Sequence, residues 1–432
     1  MSKYKRKFNT RLLVIDPQHF HAALILKANI PSLSNEIKLF APDKLAAADY
    51  ISLVREYNSC NGSATNWHII PYYGVDFLEK AVLDKSADIV VLAGDNSRKI
   101  TYMVESIKYN KAVFADKPLV INEKGYAQLQ KLLNRNGRHT PIVYDIMTER
   151  FDIKNILVKL ILSNKTLTGG FEPNAAFPLI EFHSKHHFSK VVAGHQLIRP
   201  AMFFDINKQG EGIVDVTTHY IDLVQWMLAD STVIDIQRDL KLLKSQRWST
   251  SISMADYEKI TSLKEYAPTS NHILDADNNL RVFSNGMIHY SLFGVPISVC
   301  VQWDVNSNDG EGDQLRALFK TKKCTITIEP DSNGVSSIFV KPKDTCKVFE
   351  EELQRTLTSN GYAKVTVQYV DNSYKLIIPY AMYLSHEDHF SKALQQFLDY
   401  KEHGALPEWE KSFLLAKYYL TTQALKIAET KT

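Results

Sequence analysis

The sequence has few cysteines, no long apolar run and no excess charge of either sign. The four cysteines form no Cys-x-x-Cys pair and no spacing typical of a zinc site or a disulfide framework, so we interpret them as free thiols in a reducing compartment. The formal charge of +3 on 51 basic and 48 acidic residues disfavours nucleic-acid binding. The cysteines are Cys60, Cys300, Cys324 and Cys346.

Signals for export or for a membrane are also scarce. The apolar run before Asp16 is about four residues long, whereas the apolar core of a signal peptide has about 7–15. No segment approaches the ~20 apolar residues of a membrane span. We therefore expect a cytoplasmic protein that contacts neither membrane nor nucleic acid. Its 432 residues, 45% of them hydrophobic, are enough for two or three domains.

The first third of the chain alternates apolar strands with helical segments such as HAALILKANI. The strand signals are RLLVID, NEIKLFAP, NWHIIPYY, ADIVVLAG, KAVFADKP and PIVYDI. This alternation predicts a doubly wound parallel sheet over residues 1–147. Ligands of such sheets bind at the carboxyl ends of the strands. The residues predicted at that edge are Asp16, Pro42, Gly94 and Lys117.

Beyond about Asp145 the pattern changes. A helical segment, Phe151–Leu162, precedes a polar, histidine-rich stretch, and from there to about Pro379 the strongest signals are alternating strands separated by Gly, Asn and Asp turns. Residues 386–430 predict two helices. We therefore predict an α+β domain over residues 148–432, with a large, mostly antiparallel open sheet and these C-terminal helices, for substrate binding and oligomerisation.

The stretch FADKP is the first candidate for chemistry. Lys117 directly follows a predicted strand, and Pro118 fixes the local φ and bends the chain away. This position favours a ligand contact at the edge of the sheet. A lysine in a surface turn is the alternative.

The stretch GEGIVDVTTHYIDLVQWML is the second. Gly210 and Gly212 suit a tight turn before a helix, on which Asp215 and His219 would share one face, one turn apart. A carboxylate in that position can orient the imidazole, and histidine titrates near neutral pH and suits proton transfer. A solvated pair on a surface helix is the alternative.

The order of these motifs resembles that of the Gfo/Idh/MocA oxidoreductases, named after glucose-fructose oxidoreductase and inositol dehydrogenase. That family has a Rossmann domain whose fifth strand ends in Glu-Lys-Pro, then a glycine-rich turn and a helix with Asp-x-x-x-His. Here VFADKPLVI has Asp116 in place of the glutamate, and GEGIVDVTTHYIDL carries the second motif. ADIVVLAGDNSRK resembles the fourth-strand segment, with Asn96 matching and Asp95 where proline is usual, and IMTERF resembles the opening of the second domain. HHFSKVVAG, IRPAMFFDINKQGEGIVDVTTH and DPQHFHAAL resemble a bacterial subgroup known only as putative oxidoreductases.

The resemblance implies an NAD(P)-dependent oxidoreductase acting on a sugar, cyclitol or related polyol. Lys117 would hydrogen-bond the reacting oxygen, and His219 would be the base in oxidation and the acid in reduction. Asp215 would orient the substrate or the histidine. The family also includes enzymes that process glycosides by transient oxidation with bound NAD. The implied assembly is a homo-oligomer, a dimer or a tetramer.

The segment VIDPQHFHAALI lies where relatives carry Gly-x-Gly-x-x-Gly, with Asp16, Gln18 and His21 at the glycine positions. Asp16 and Pro17 also suit a helix N-cap and first turn, behind which amides and side chains would donate to a pyrophosphate. We predict a remodelled cofactor cradle. Because the glycines are missing, a non-catalytic binding protein that keeps the fold is the contrasting hypothesis. The predicted cofactor contacts are Asp16, Pro17, Gln18, His19, Phe20, Asp43, Gly94, Asn96, Asp116, Lys117 and Pro118.

The choice between NAD and NADP depends on the end of the second strand. Asp43 lies just past the position where an acidic residue binds a free ribose 2′-hydroxyl, whereas Lys44 would approach a 2′-phosphate. NAD is the favoured cofactor of the two.

Histidines and one arginine complete the candidates. HSKHH contains His183, His186 and His187, but no nearby Cys, Asp or Glu completes a metal pattern. We therefore predict no metal and favour a substrate-pocket or interface loop. Arg199 suits a carboxylate or sugar hydroxyls, with a structural salt bridge as the alternative. The predicted substrate contacts are His187, Arg199 and Asp222.

Overall fold

The structure is a computed structural model that describes residues 10–60, 64–135, 141–192, 195–267, 274–306, 312–331, 334–344 and 347–430. The chain divides into two units, Met1–Thr148 with Ser385–Leu415, and Glu149–Leu384 with Ala416–Thr432. Within the described ranges, no helix is long and apolar enough to cross a membrane. Three cysteines are free thiols, and the fourth, Cys346, lies outside the described residues.

The first unit is built on a six-stranded parallel sheet. Its strands are β1 (Thr10–Ile15), β2 (Leu33–Ala41), β3 (His68–Tyr73), β4 (Ile89–Leu92), β5 (Ala112–Asp116) and β6 (Val143–Ile146). Its helices are α1 (His21–Leu24), α2 (Ala48–Ser59), α3 (Phe77–Leu83), α4 (Asn96–Lys108) and α5 (Glu123–Leu133). The strand order is β3-β2-β1-β4-β5-β6, with every pairing parallel. The predicted Rossmann sheet is confirmed, with its switch point between β1 and β4.

The second unit contains a nine-stranded sheet. Its strands and the small β8–β9 pair are β7 (Ile180–Ser189), β8 (Val191–Val192), β9 (His195–Gln196), β10 (Leu240–Ile252), β11 (Leu280–Leu292), β12 (Val295–Asn306), β13 (Gln314–Lys320), β14 (Cys324–Pro330), β15 (Ser336–Pro342), β16 (Thr366–Val370) and β17 (Ser373–Ile377). The order is β10-β11-β12-β7-β13-β14-β15-β17-β16, and only β12 with β7 is parallel. The predicted, mostly antiparallel sheet is confirmed.

The remaining helices follow from α6 onward. They are α6 (Ile153–Ser163), α7 (Lys165–Thr168), α8 (Ile206–Gln209), α9 (Thr217–Leu228), α10 (Ile236–Asp239), α11 (Met254–Thr261), α12 (Lys347–Ser359), α13 (His386–His403) and α14 (Glu408–Glu429). The sequence placed both C-terminal helices in the second domain. In the structure, α13 and the first residues of α14 pack with the first unit, where Phe397 lies 4.9 Å from Phe114 between ring centroids and Tyr144 Oη donates to Glu410 at 2.6 Å.

The histidine-rich stretch HSKHH is not a loop, as the sequence had suggested. It lies in β7, a central strand between β12 and β13. Ile180, Phe182 and Ser184 are buried, while His183 between them is exposed. This alternation is the two-residue period of a strand, which the run of polar residues had hidden.

Candidate functional site

The loop after β1 keeps a glycine-like backbone without a glycine. Asp16 has a φ of +49°, in the left-handed region that aspartate tolerates better than most residues, and its carbonyl accepts the amide of Gln18 at 2.9 Å. Gly94 faces this turn from the end of β4, where an added Cβ would lie 2.4 Å from the Asp16 carbonyl oxygen. In this protein an aspartate adopts the positive φ after β1, and the position that sterically requires glycine is Gly94, after β4.

The Asp16 carboxylate is turned into the protein. It is almost fully buried and accepts hydrogen bonds from Gln18 Nε2 at 2.8 Å and from Tyr102 Oη at 2.9 Å. The prediction that Asp16 caps the first helix is wrong, because α1 begins at His21 with Phe20 as its N-cap. The helix is four residues long, so HAALILKANI is helical only at its start.

Three backbone amides of this loop have acceptors within the protein. Gln18 N donates to Asp16 O, and His19 N donates to Ala93 O at 3.2 Å. The amide of His21 reaches His19 Nδ1 at 3.4 Å. This loop therefore presents its side chains, rather than a row of N–H groups, at the carboxyl end of the sheet.

Two histidines of the loop meet the aspartate that ends β5. Asp116 Oδ2 lies 3.0 Å from His21 Nδ1 and 3.6 Å from His19 Nδ1. Burial alone would raise the pKa of Asp116, but His21, His19 and Lys99 outweigh it and hold the pKa well below its usual value. Burial, and then His21, lowers the pKa of His19 well below 6.5. The sequence had predicted no metal, yet these three side chains form the one metal-ligating cluster found among the described residues.

Lys99 holds the Asp-Lys-Pro turn through hydrogen bonds to its backbone carbonyl oxygens. Its side chain is buried, and Nζ donates to Asn96 Oδ1 at 2.6 Å, to Asp116 O at 2.7 Å and to Pro118 O at 2.9 Å. Asn96 is thus an acceptor for this lysine, and Lys117 lies half-buried in the turn that Lys99 holds. Sequence reasoning missed Lys99, whose only signal was its place at the end of ADIVVLAGDNSRK.

Two other predicted positions in the first unit have local partners. Asp95 accepts the amide of Ser97 at 2.9 Å and so caps α4, which explains an aspartate where proline is usual. Asp43 is exposed after β2, and its Oδ1 accepts the amide of Ala46 at 2.9 Å. This local hydrogen bond does not distinguish NAD from NADP.

The turn before α9 is packed tightly against β11. A Cβ on Gly212 would lie 1.7 Å from the carbonyl oxygen of Ser284, so no other residue fits there. Asp215 lies in this turn, before the helix begins at Thr217, and its Oδ2 accepts a hydrogen bond from Gln209 Nε2 at 3.0 Å. His219 is half-buried in the first turn of α9.

His187 and Arg199 lie together in the second unit. Arg199 Nη2 donates to His187 O at 3.0 Å, and its guanidinium lies over the rings of Phe203 and Trp303. Burial lowers the pKa of His187, whose Nδ1 is 3.8 Å from Asp313 Oδ1 and makes no hydrogen bond within the part of the chain that is described. The Arg199 side chain therefore binds backbone carbonyl oxygens of β7. This contact differs from the substrate contact and from the salt bridge that the sequence suggested.

Asp222 is held by two cations and is poorly placed to contact a substrate. Its Oδ2 accepts from Arg150 Nε at 2.6 Å, and its Oδ1 accepts from Arg150 Nη2 at 2.7 Å and from Lys417 Nζ at 2.9 Å. All three side chains are buried. The prediction of Asp222 as a substrate contact is corrected, because both of its oxygens are engaged in a buried ion cluster.

Comparison with known proteins places this chain among oxidoreductases. Residues 159–429 match the model of the putative oxidoreductase C terminal domain. The crystal structure of a putative oxidoreductase from Parabacteroides merdae is 33% identical, with a TM-score of 0.93 over 98% of each chain. No curated protein matches the chain.

Two more distant crystal structures share the fold. A 3-ketoreductase from Actinomadura kijaniata, in complex with NADP and TDP-benzene, has a TM-score of 0.54 at 12% identity over 95% of each chain. A putative myo-inositol dehydrogenase from Sinorhizobium meliloti has a TM-score of 0.54 at 11% identity over 98% of each chain. At these identities the likeness shows the fold alone.

Proposed function

Because the chain belongs to the family defined by the putative oxidoreductase C terminal domain, we propose that it is an oxidoreductase that uses NAD or NADP. The observation that carries the proposal is the sheet order β3-β2-β1-β4-β5-β6, whose switch point is where such sheets bind dinucleotides. The ketoreductase with the same fold binds NADP. The finer proposal is hydride transfer to or from a secondary hydroxyl or carbonyl of a sugar, cyclitol or related polyol.

The residues at the switch point fit a dinucleotide only in part. Gly94 allows the turn at Asp16 to lie close to the end of β4. The amides of Gln18 and His19 donate to protein oxygens, so a diphosphate cannot be held by them as it is in a glycine loop. Arg98, half-exposed 3.9 Å from the Asp16 carboxylate, is a cation at this edge. We therefore propose that side chains hold the diphosphate.

The proposed chemistry needs a base and a cation near the reacting carbon. A secondary alcohol has a pKa far above neutral, so its oxidation requires removal of the hydroxyl proton and stabilisation of the developing alkoxide. We assign proton transfer to His219 and the hydrogen bond to the oxygen to Lys117. Asp215, itself held by Gln209, orients the substrate or the histidine. The nicotinamide, when bound, supplies the hydride acceptor or donor.

We also propose that His187, the buried histidine of β7, contacts the substrate. His187 keeps its Nδ1 free of hydrogen bonds among the described residues, and a substrate hydroxyl is a suitable partner for it. Arg199 acts as a positioning residue, because it donates to the His187 carbonyl oxygen. We do not assign Asp222 to the substrate.

A nucleotide titration followed by a substrate panel tests the proposal. The purified protein should bind NAD(H) or NADP(H), and one sugar or polyol should change the absorbance of the reduced nicotinamide. His219→Ala should still bind nucleotide and lose turnover by about 10²–10⁴-fold, the range of general acid–base catalysis. His68→Ala, which removes an exposed histidine on β3, is the matched control and should keep full turnover.

Each result against the proposal has a separate meaning. Absence of nucleotide binding at millimolar concentration would rule out the oxidoreductase, whereas unchanged kcat in His219→Ala would remove only that histidine from the mechanism. The second candidate function is a binding protein without a cofactor, which the internally bonded amides of Gln18 and His19 favour. The titration decides between the two, since a protein of that kind would bind neither nucleotide.

A further inference from the structure

Three side chains at the carboxyl end of the first unit's sheet are placed as ligands of one cation. His19 and His21 follow β1, Asp116 ends β5, and their ligand atoms all lie within 4.8 Å of one another. We propose that they bind a divalent transition-metal ion of the zinc type through the two Nδ1 atoms and a carboxylate oxygen. Two of these residues, His19 and Asp116, are also predicted cofactor contacts, so the metal is tested without nucleotide, and its binding does not require the proposed oxidoreductase activity.

The spacing of the three groups fits such an ion. Zinc lies ~2.0–2.2 Å from histidine nitrogen and carboxylate oxygen, so neighbouring ligands of a tetrahedral ion are about 3.3 Å apart. Asp116 Oδ2 is 3.0 Å from His21 Nδ1 and 3.6 Å from His19 Nδ1. The two separations lie on either side of the tetrahedral value, and the third, between the histidine ligand atoms, is within 4.8 Å, so the histidine side chains would have to adjust to complete the ligand set.

One acceptor of the cluster lacks a partner among the described residues. His19 Nδ1 accepts the amide of His21 at 3.4 Å and lies 3.6 Å from Asp116 Oδ2, and a metal ion at this nitrogen would take over the lone pair from that long hydrogen bond. Asp116 is 5% exposed, and its Oδ1 has no hydrogen-bond partner among the residues that the structure describes. Buried polar atoms are normally paired. A cation bound at this carboxylate supplies the partner that the His21–Asp116 pair, made through Oδ2, leaves missing at Oδ1.

The donor set selects the class of metal. Imidazole nitrogen suits zinc, cobalt, nickel and copper, while magnesium and calcium prefer oxygen ligands alone. Three protein ligands leave a position open to water or another small ligand, as in catalytic rather than structural zinc sites. Lys99 and Lys117 place positive charge near His19. We therefore expect micromolar affinity, weaker than at structural zinc sites.

Cobalt provides a direct optical test on the full chain. Tag-free protein is treated with a chelator and titrated with CoCl₂ in the absence of nucleotide and substrate. The site should give visible absorption bands that saturate at one equivalent of cobalt and disappear when ZnCl₂ is added. Absence of a saturable band up to millimolar cobalt would overturn the proposal, and it would leave the oxidoreductase assay unaffected.

Variants locate the ion by calorimetric zinc titration. Loss of outer-shell partners alone costs 10–100-fold in metal affinity, so His21→Ala and Asp116→Asn should each weaken binding by more than about tenfold. Asp116→Asn preserves the shape of the side chain and secures the test if His21→Ala does not fold. His68→Ala is again the control and should bind as the wild type does. Equal affinities in all of these proteins would contradict the assignment.

Discussion

Two buried aspartates, one in each unit, show how differently the same side chain is used. Asp222 has both oxygens bonded to the side chains of Arg150 and Lys417. Asp116 has one oxygen near two imidazoles and the other without a partner among the described residues. Burial opposes ionisation of both, and the neighbouring groups lower both pKa values.

The difference separates a structural carboxylate from one that is available to a ligand. The cations around Asp222 neutralise it and occupy its lone pairs, so no site remains for another partner. The imidazoles around Asp116 carry no permanent charge, and neutral imidazole is a metal ligand. Full pairing therefore indicates a role in stability, and incomplete pairing of a buried group indicates a site.

The largest expected effect is that of Asp222→Asn. The substitution leaves Arg150 and Lys417 buried with no counter-charge, and breaking a buried ion pair in this way costs about 3–5 kcal/mol. The free energy of unfolding, measured by denaturant titration at neutral pH, should fall by that amount.

Asp230→Asn is the matched control for this measurement. The Asp230 side chain is 72% exposed, and it accepts a hydrogen bond from Lys159 at 2.7 Å. Its φ of +52° is one that asparagine also tolerates. Exposed pairs contribute at most about 1 kcal/mol. Equal losses in the two variants would refute the structural role of Asp222.

A smaller effect is expected in the pH dependence of stability. Burial raises the pKa of Asp222, but Arg150 and Lys417 outweigh it and lower the pKa from 3.8 to about 2. The stability that this ionised group contributes is present above about pH 4 and is lost as the pH falls through about 2, a change on the order of 2 kcal/mol.

Acid unfolding of the wild type and Asp222→Asn measures this contribution. The variant has no carboxylate to protonate, so its free energy of unfolding should depend less steeply on pH in this range. The gap between the two proteins should therefore narrow as the solution is acidified from about pH 4 to about pH 2. A gap of constant size would mean that the carboxylate is not ionised in the folded protein.

The sequence predicted what depends on local pattern. The apolar runs of β4 and β5 are buried on both faces, as a parallel sheet requires, and their alternation with helices gave the Rossmann sheet. The motif order gave the positions of Lys117, Asp215 and His219, and their catalytic roles stay predictions. These features need only residues that are close together in the chain.

What the sequence missed depends on partners that are distant in the chain. Asp222 is separated from Arg150 by 72 positions and from Lys417 by 195, and Asp116 is separated from His21 by 95. No periodicity reports such pairs. The packing of α13 with the first unit was missed for the same reason. The sequence of an amphipathic helix shows which of its faces is buried, but it does not show which sheet covers that face.

The smallest expected effect is that of Asp116→Asn on stability without metal. Asparagine Oδ1 can still accept from His21, and one oxygen had no partner to lose, so we expect a loss clearly smaller than that of Asp222→Asn in the presence of a chelator. With excess zinc, the wild type should gain stability by mass action and the variant should not. Denaturant titrations with and without zinc measure both effects. A loss as large as that of Asp222→Asn without metal would make Asp116 a structural carboxylate and remove the contrast between the two aspartates.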